Sequence, residues 1–185
     1  GAAYGDVVLA VNALLMQLFT LFSYFMDGFA YAGEALSGKY IGAKDDKSLR
    51  LTVRHLFKWG FVLSLLFTLL YGAGGKGFLG LLTDDASVIS ASGEYIGWVL
   101  AIPLAGFSAF LLDGICIGAT ATRVMLRSML IASASFFLLY YGLHPSFGNH
   151  ALWMAFIVYL SLRGIVQGSI LYRMQHKNRK GTSQF

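Results

Sequence analysis

Between Asp6 and Asp27 the chain carries 20 residues without a charge, and long apolar runs recur to its end. A helix rising 1.5 Å per residue needs about 20 mostly apolar residues to cross the roughly 30 Å hydrocarbon core of a bilayer. The pattern predicts a first membrane helix over about residues 7–40, longer than the hydrocarbon requires, so that its last turns reach water. A second is predicted over about 56–82, with Lys76 near one end reaching the headgroups. A third is predicted over about 88–119, kinked at Pro103. The uncharged stretch from Ser128 to Leu162 is too long for one span. The turn chemistry of Leu143-His144-Pro145-Ser146-Phe147-Gly148-Asn149-His150 divides it into spans near 126–142 and 151–172. The expected fold class is all-α, a polytopic transmembrane bundle of five spans over residues 1–172, followed by a basic tail over 173–185.

Composition sharpens this picture. Of the 185 residues 57% are hydrophobic and 12% charged, and the mean hydropathy is +0.65. Soluble domains average about 45–50% apolar and about 25% charged, which excludes a water-soluble globule. The net charge of +5 does not point to nucleic acid, because the basic residues fall in loops between apolar runs rather than on one soluble face. One cysteine, Cys116, leaves no internal disulfide.

The loops also orient the bundle. Lys39, Lys44, Lys47, Arg50, Arg54, Lys58, Arg123, Arg127, Arg173, Lys177, Arg179 and Lys180 all fall on one side, and only Lys76 on the other. By the positive-inside rule the C-terminus is cytoplasmic and the first residue lies outside. The tail from Arg173 onward is expected to be solvated and mobile, touching anionic headgroups. An outside start without Met, and an odd number of spans, suggest a missing N-terminal part. No signal-peptide or acylation pattern opens the chain.

Charges within spans are costly and mark partners, cavities or ion paths. Asp27 and Glu34 lie seven residues apart on nearly one face of the first helix, among Gly28, Ala30, Ala32, Gly33 and Ala35. Asp113 lies on the third helix and Arg163 on the fifth. Asp113 reads either as a carrier of a proton or sodium ion or as half of a structural ion pair with Arg163. Glu34 reads either as an ion-coupling acid or as a solvated or capping group at the cytoplasmic mouth. For Arg163 the expectation is snorkelling toward the inner interface, with the Asp113 pair as alternative. Glu94 is expected to be interfacial. The run Gly72-Ala73-Gly74-Gly75-Lys76-Gly77 matches G-x-G-x-x-G, yet it follows an apolar span rather than a strand and lacks the Ser or Thr of a phosphate loop. Four glycine pairs, Gly38/Gly42, Gly93/Gly97, Gly114/Gly118 and Gly164/Gly168, fit close helix packing. The four histidines show no ligand spacing and no nucleophile or catalytic dyad lies in the spans, so neither enzymatic activity nor a cofactor is expected.

Two segments are more specific. Residues 24–44 read YFMDGFAYAGEALSGKYIGAK, and residues 112–125 read LDGICIGATATRVM. Together with the span count they resemble the C-terminal half of transporters of the multidrug and toxic compound extrusion (MATE) family, and are similar to its branch of DNA-damage-inducible F proteins. The resemblance covers essentially the whole chain, as helices eight to twelve of a twelve-helix transporter. It implies two six-helix lobes facing a central cavity, with organic cations or drugs exported from the inner membrane in exchange for Na+ or H+. It places Asp113 at the acid of the tenth helix that belongs to the family's C-lobe cation site, where Na+ would sit. Asp27 and Glu34 are further ion-coupling candidates, with Arg163 as a possible ion-pair partner. The implied partners are membrane lipid, organic cations and the missing N-terminal lobe, which carries its own acids. Two rivals remain: a lipid-linked oligosaccharide flippase of the same superfamily, and a five-span assembly subunit without transport. A flippase favours cationic cavity residues for pyrophosphate. Here Arg163 is the only deep cation, against three deep acids.

Overall fold

The computed structural model describes residues 5–181, with the side chains of Lys76 and residues 175–181 outside the description. The described residues form helices α1 (Asp6–Gly42), α2 (Asp46–Leu79), α3 (Ala86–Ser92), α4 (Ile96–Gly118), α5 (Thr122–Phe147) and α6 (Asn149–Gly181). Five of them, all but α3, are long and apolar enough to cross a membrane. Leu69, Leu130 and Leu138, between 61% and 76% exposed, point out of the bundle, as a lipid-facing surface requires.

Local chemistry sets the helix ends. Asp6 opens α1, where a carboxylate complements the helix dipole, and Lys39 stands in its last turn. In the tight turn to α2, the Ser48 N–H donates to Asp45 Oδ1 at 3.0 Å. The Ser48 hydroxyl and N–H hold the Asp45 carboxyl below its ordinary range. Asp85 caps α3, accepting from the Ser87 N–H at 2.9 Å and the Ser87 hydroxyl at 2.6 Å. These bonds, the hydroxyl's first, hold its carboxyl below the usual value too.

The structure differs from the expected spans in instructive places. The predicted helix over 88–119 is two helices. After Ser92 the N–H groups of Gly93, Glu94 and Tyr95 bond three residues back, to Ser90, Ala91 and Ser92, and this tighter winding turns the chain. The span proper is α4, and the short α3 that precedes it packs on α1. α4 runs on as helix through Pro103. The ring leaves the Val99 carbonyl without its usual donor, and one residue on, the Leu100 carbonyl takes an extra bond from the Thr68 hydroxyl at 3.0 Å. α2 starts at Asp46, well before residue 56, and its helical geometry breaks at Gly75, with φ 45° and ψ −134°, a conformation only glycine adopts freely. The break expected over 143–150 narrows to Gly148 at φ 56° and ψ −132°; Pro145 falls in the last turn of α5, where its ring leaves the Tyr141 carbonyl without its usual donor but has little helix left to interrupt. The last span ends at Met174, and helical backbone continues beyond it to Gly181. The tail's basic side chains from Lys177 onward, like that of Lys76, lie outside the described residues.

α4 is the hub, packed on α1, α2 and α6 and touching α5. Gly33 faces Leu111 and Ile115, and Gly38 faces Gly118, so α1 and α4 run parallel. Gly106 faces Leu160 and Gly168 faces Leu112, so α6 runs parallel to both. α2 runs the opposite way: Gly60 meets Leu111 while Gly72 meets Leu100. α5 packs along α6, with the Phe136 ring edge-on to Tyr159. Phe22 anchors the centre, buried among Phe67 and Phe110 in edge-to-face contacts. Alternation of helix direction brings Lys39, Arg123 and Arg173 to one end of the bundle and Asp85 and Glu94 to the other.

Candidate functional site

The α4–α6 crossing is tight because glycines line it. A methyl group added at Gly164 would collide with the Ser108 hydroxyl, and one at Gly168 would touch Leu112. This approach sets Asp113 of α4 opposite Arg163 and Gln167, which stand one turn apart on one face of α6. Arg163 donates through Nη2 to Asp113 Oδ2, and Gln167 donates through Nε2 to Asp113 Oδ1 at 2.7 Å. Both carboxylate oxygens are thus engaged. The Asp113 and Arg163 side chains are each 14% exposed, and Gln167 is fully buried. Two polar atoms of the cluster, Arg163 Nε and Gln167 Oε1, are buried without a partner among the described residues.

Arg163 therefore does not snorkel, contrary to expectation. A carboxylate within hydrogen-bond reach in a low-dielectric interior attracts it more strongly than a distant headgroup. Removing either member would leave an uncompensated buried charge, at a cost of about 3–5 kcal/mol. Asp113 stands five residues before Gly118, which puts it about 7.5 Å from the basic end of α4.

Asp27 and Glu34 are not brought to this pair. α1 presents Ala30, Gly33, Ser37 and Gly38 to α4, and the two acids flank that contact face. Neither side chain makes a hydrogen bond or ion pair among the described residues. Both are partly exposed, on a stripe with Tyr24 and Tyr31, each 70% exposed. The described residues hold no cluster of three or more His, Cys, Asp and Glu side chains suited to a metal. Two shallow clefts, of about 160 and 210 Å³, lie near the basic end of α2, and none of the three acids lines either one.

Three polar contacts escaped the sequence reading. Gln167 is one; its only signal was the four-residue step from Arg163, shared with the Gly164/Gly168 pair. The second joins α1 to α6. Asn12 and Asn149 exchange amide bonds at 2.8 and 3.0 Å, and the Trp153 indole N–H donates to Asn12 Oδ1 at 3.0 Å. In the third, Trp98 donates to His150 Nδ1 at 3.0 Å while His150 Nε2 lies 3.2 Å from Glu94 Oε1. Glu94, expected simply at the interface, thus ties the start of α4 to the start of α6.

Comparison with known proteins places this architecture. The sequence model of the MatE family matches residues 2–141. DNA damage-inducible protein F of Escherichia coli (strain K12) is 40% identical over 173 residues, 94% of this chain and 38% of that protein. Protein DETOXIFICATION 42 of Arabidopsis thaliana is 26% identical over 165 residues, 89% of this chain and 32% of that protein. The chain thus spans between 32% and 38% of the length of these two relatives. No solved structure matches.

Proposed function

The chain belongs to the MatE family, and from that premise we propose that it is most of the C-terminal lobe of a cation-driven exporter of organic cations. The observation that carries this reading is Asp113, a carboxylate held in the bundle with both oxygens engaged, about 7.5 Å along the helix from the basic end of α4. Such a group is expensive among spans and is expected to serve ion movement. Na+ or H+ is cargo here, taken up at Asp113 from one side of the membrane and released on the other. The two lobes would face a shared cavity and alternate their opening, with ion and substrate favouring different states.

Asp27 and Glu34 are assigned to the cavity wall. Their stripe on α1 borders the contact with α4, and combines two partly exposed acids with the aromatic faces of the exposed Tyr24 and Tyr31. A flat organic cation would find charge and π surface there together. The partners of this face would be the N-terminal lobe and the substrate. The reading sets the basic end in the cytoplasm of an inner-membrane protein and gives the chain no catalytic step and no nucleic-acid partner. A flippase for lipid-linked pyrophosphates is disfavoured, because Asp113 already neutralises Arg163.

The full-length protein in proteoliposomes tests this. An imposed Na+ or pH gradient is expected to drive ethidium transport, with no transport in its absence. Ethidium movement indifferent to both gradients, or flipping of a labelled pyrophosphate lipid in its place, would count against the reading.

A further inference from the structure

We propose that Arg163 and Gln167 are a resident competitor for the coupling cation: Arg163 occupies Asp113 until the cation displaces it, and Gln167 then turns its amide to help hold the cation. This rests on the assignment of Asp113 as the coupling carboxylate.

Both oxygens of Asp113 are already occupied. With Arg163 Nη2 on one oxygen and Gln167 Nε2 on the other, a cation that approaches Asp113 competes with both donors and meets the repulsion of the guanidinium charge. Exchanging a guanidinium for Na+ or a proton leaves the charge around Asp113 unchanged, so the buried carboxylate never stands alone during the trade.

Arg163 grips Asp113 with one nitrogen rather than two. A guanidinium binds most firmly when two parallel N–H groups grip one carboxylate. Here one nitrogen makes the contact and the buried Nε has no partner among the described residues. The side chain has somewhere to go, because the pair lies near the basic end of α4 and an arginine stem can carry its head to the headgroups from such a depth.

Gln167 is placed to take part in the exchange. Its residue is fully buried, its Nε2 faces Asp113, and its Oε1 is unsatisfied. An amide offers two donors on one side and an acceptor on the other. With Arg163 in place the donor side suits an engaged carboxylate. Once Arg163 leaves, a half-turn of the amide presents Oε1 beside Asp113, and two oxygens then converge on the entering cation. Arg163 and Gln167 thus act through Asp113 in opposite senses, one opposing cation entry and the other favouring it.

The test uses full-length protein in proteoliposomes, with ethidium efflux followed while the driving cation, Na+ or protons, is varied. Arg163→Gln is expected to lower the half-saturating concentration of that cation by about tenfold, and Gln167→Leu to raise it by about tenfold. A purely structural role would weaken both variants alike, so opposite shifts are the signature. If Arg163→Gln does not reach the membrane, Arg163→Lys carries the test, with a value about threefold lower because a point charge pairs less well than a planar fork. An unchanged half-saturation in the arginine variant, or shifts of the same sign in both, overturns the exchange. Asp113→Asn run alongside separates the two failures. If it leaves coupling intact, the assignment of Asp113 itself falls; if it abolishes coupling while the arginine variant shows no shift, only the exchange falls.

Discussion

Gly114 lies against the carbonyl oxygen of Ala30, closer than any side chain at that position would permit. One turn on, Gly118 sits equally close to the Glu34 carbonyl, and the Ser37 hydroxyl bridges the helices toward the Ile115 carbonyl at 3.4 Å. Lipid tails are as apolar as the helices, so their association relies on close backbone approach of this kind. The same contact fixes the rotation of α4, which turns Asp113, the residue before Gly114, toward α6.

Gly114→Ala should therefore lower stability by about 1–3 kcal/mol, because backbone rather than a flexible side chain would have to move. Gly42→Ala, where a methyl group meets nothing within 4 Å, should stay within about 0.5 kcal/mol. Unfolding midpoints in detergent measure both. Equal midpoints for the two variants would contradict the tight crossing.

Asn12→Leu should cost about 1–3 kcal/mol, since it strands the Asn149 amide and the Trp153 N–H in a buried site. Asn149→Leu added to it removes one of the stranded groups, so the double variant should lose less than the sum of the singles. A double-mutant cycle by thermal unfolding should give a coupling energy of at least about 0.5 kcal/mol. Strict additivity would mean that the amide pair does not join α1 to α6.

The span count was legible because lipid imposes one demand on every residue of a span: stay apolar for about 20 positions. The Gly93-Glu94 break was harder to read, since Val88 to Ile102 remains mostly apolar and the turn arises from backbone bonds shifted by one residue. Partnerships across helices were not legible at all. Asn12 and Asn149 lie 137 positions apart, and polarity in a sequence signals that a partner is needed without naming it. Arg163 illustrates the same limit. Its charge marked it as exceptional, but only the α4–α6 crossing decided between the interface and Asp113.

Asp27→Asn addresses substrate rather than coupling. The side chain makes no polar contact among the described residues, so the variant should fold and reach the membrane normally. If the α1 stripe lines the cavity, the half-saturating ethidium concentration should rise about tenfold with little change in the driving-cation dependence, the size expected for losing one charge–cation contact. Ethidium dose curves in proteoliposomes read this directly. An unaltered curve would remove Asp27 from the cavity wall.

Coupling of ion entry to export at Asp113 is open to one decisive experiment. Full-length Asp113→Asn is reconstituted, its membrane insertion confirmed, and ethidium transport recorded under imposed Na+ and pH gradients. Gradient-driven transport is expected to be lost with the protein still inserted. Undiminished gradient-driven transport by the inserted variant would contradict it.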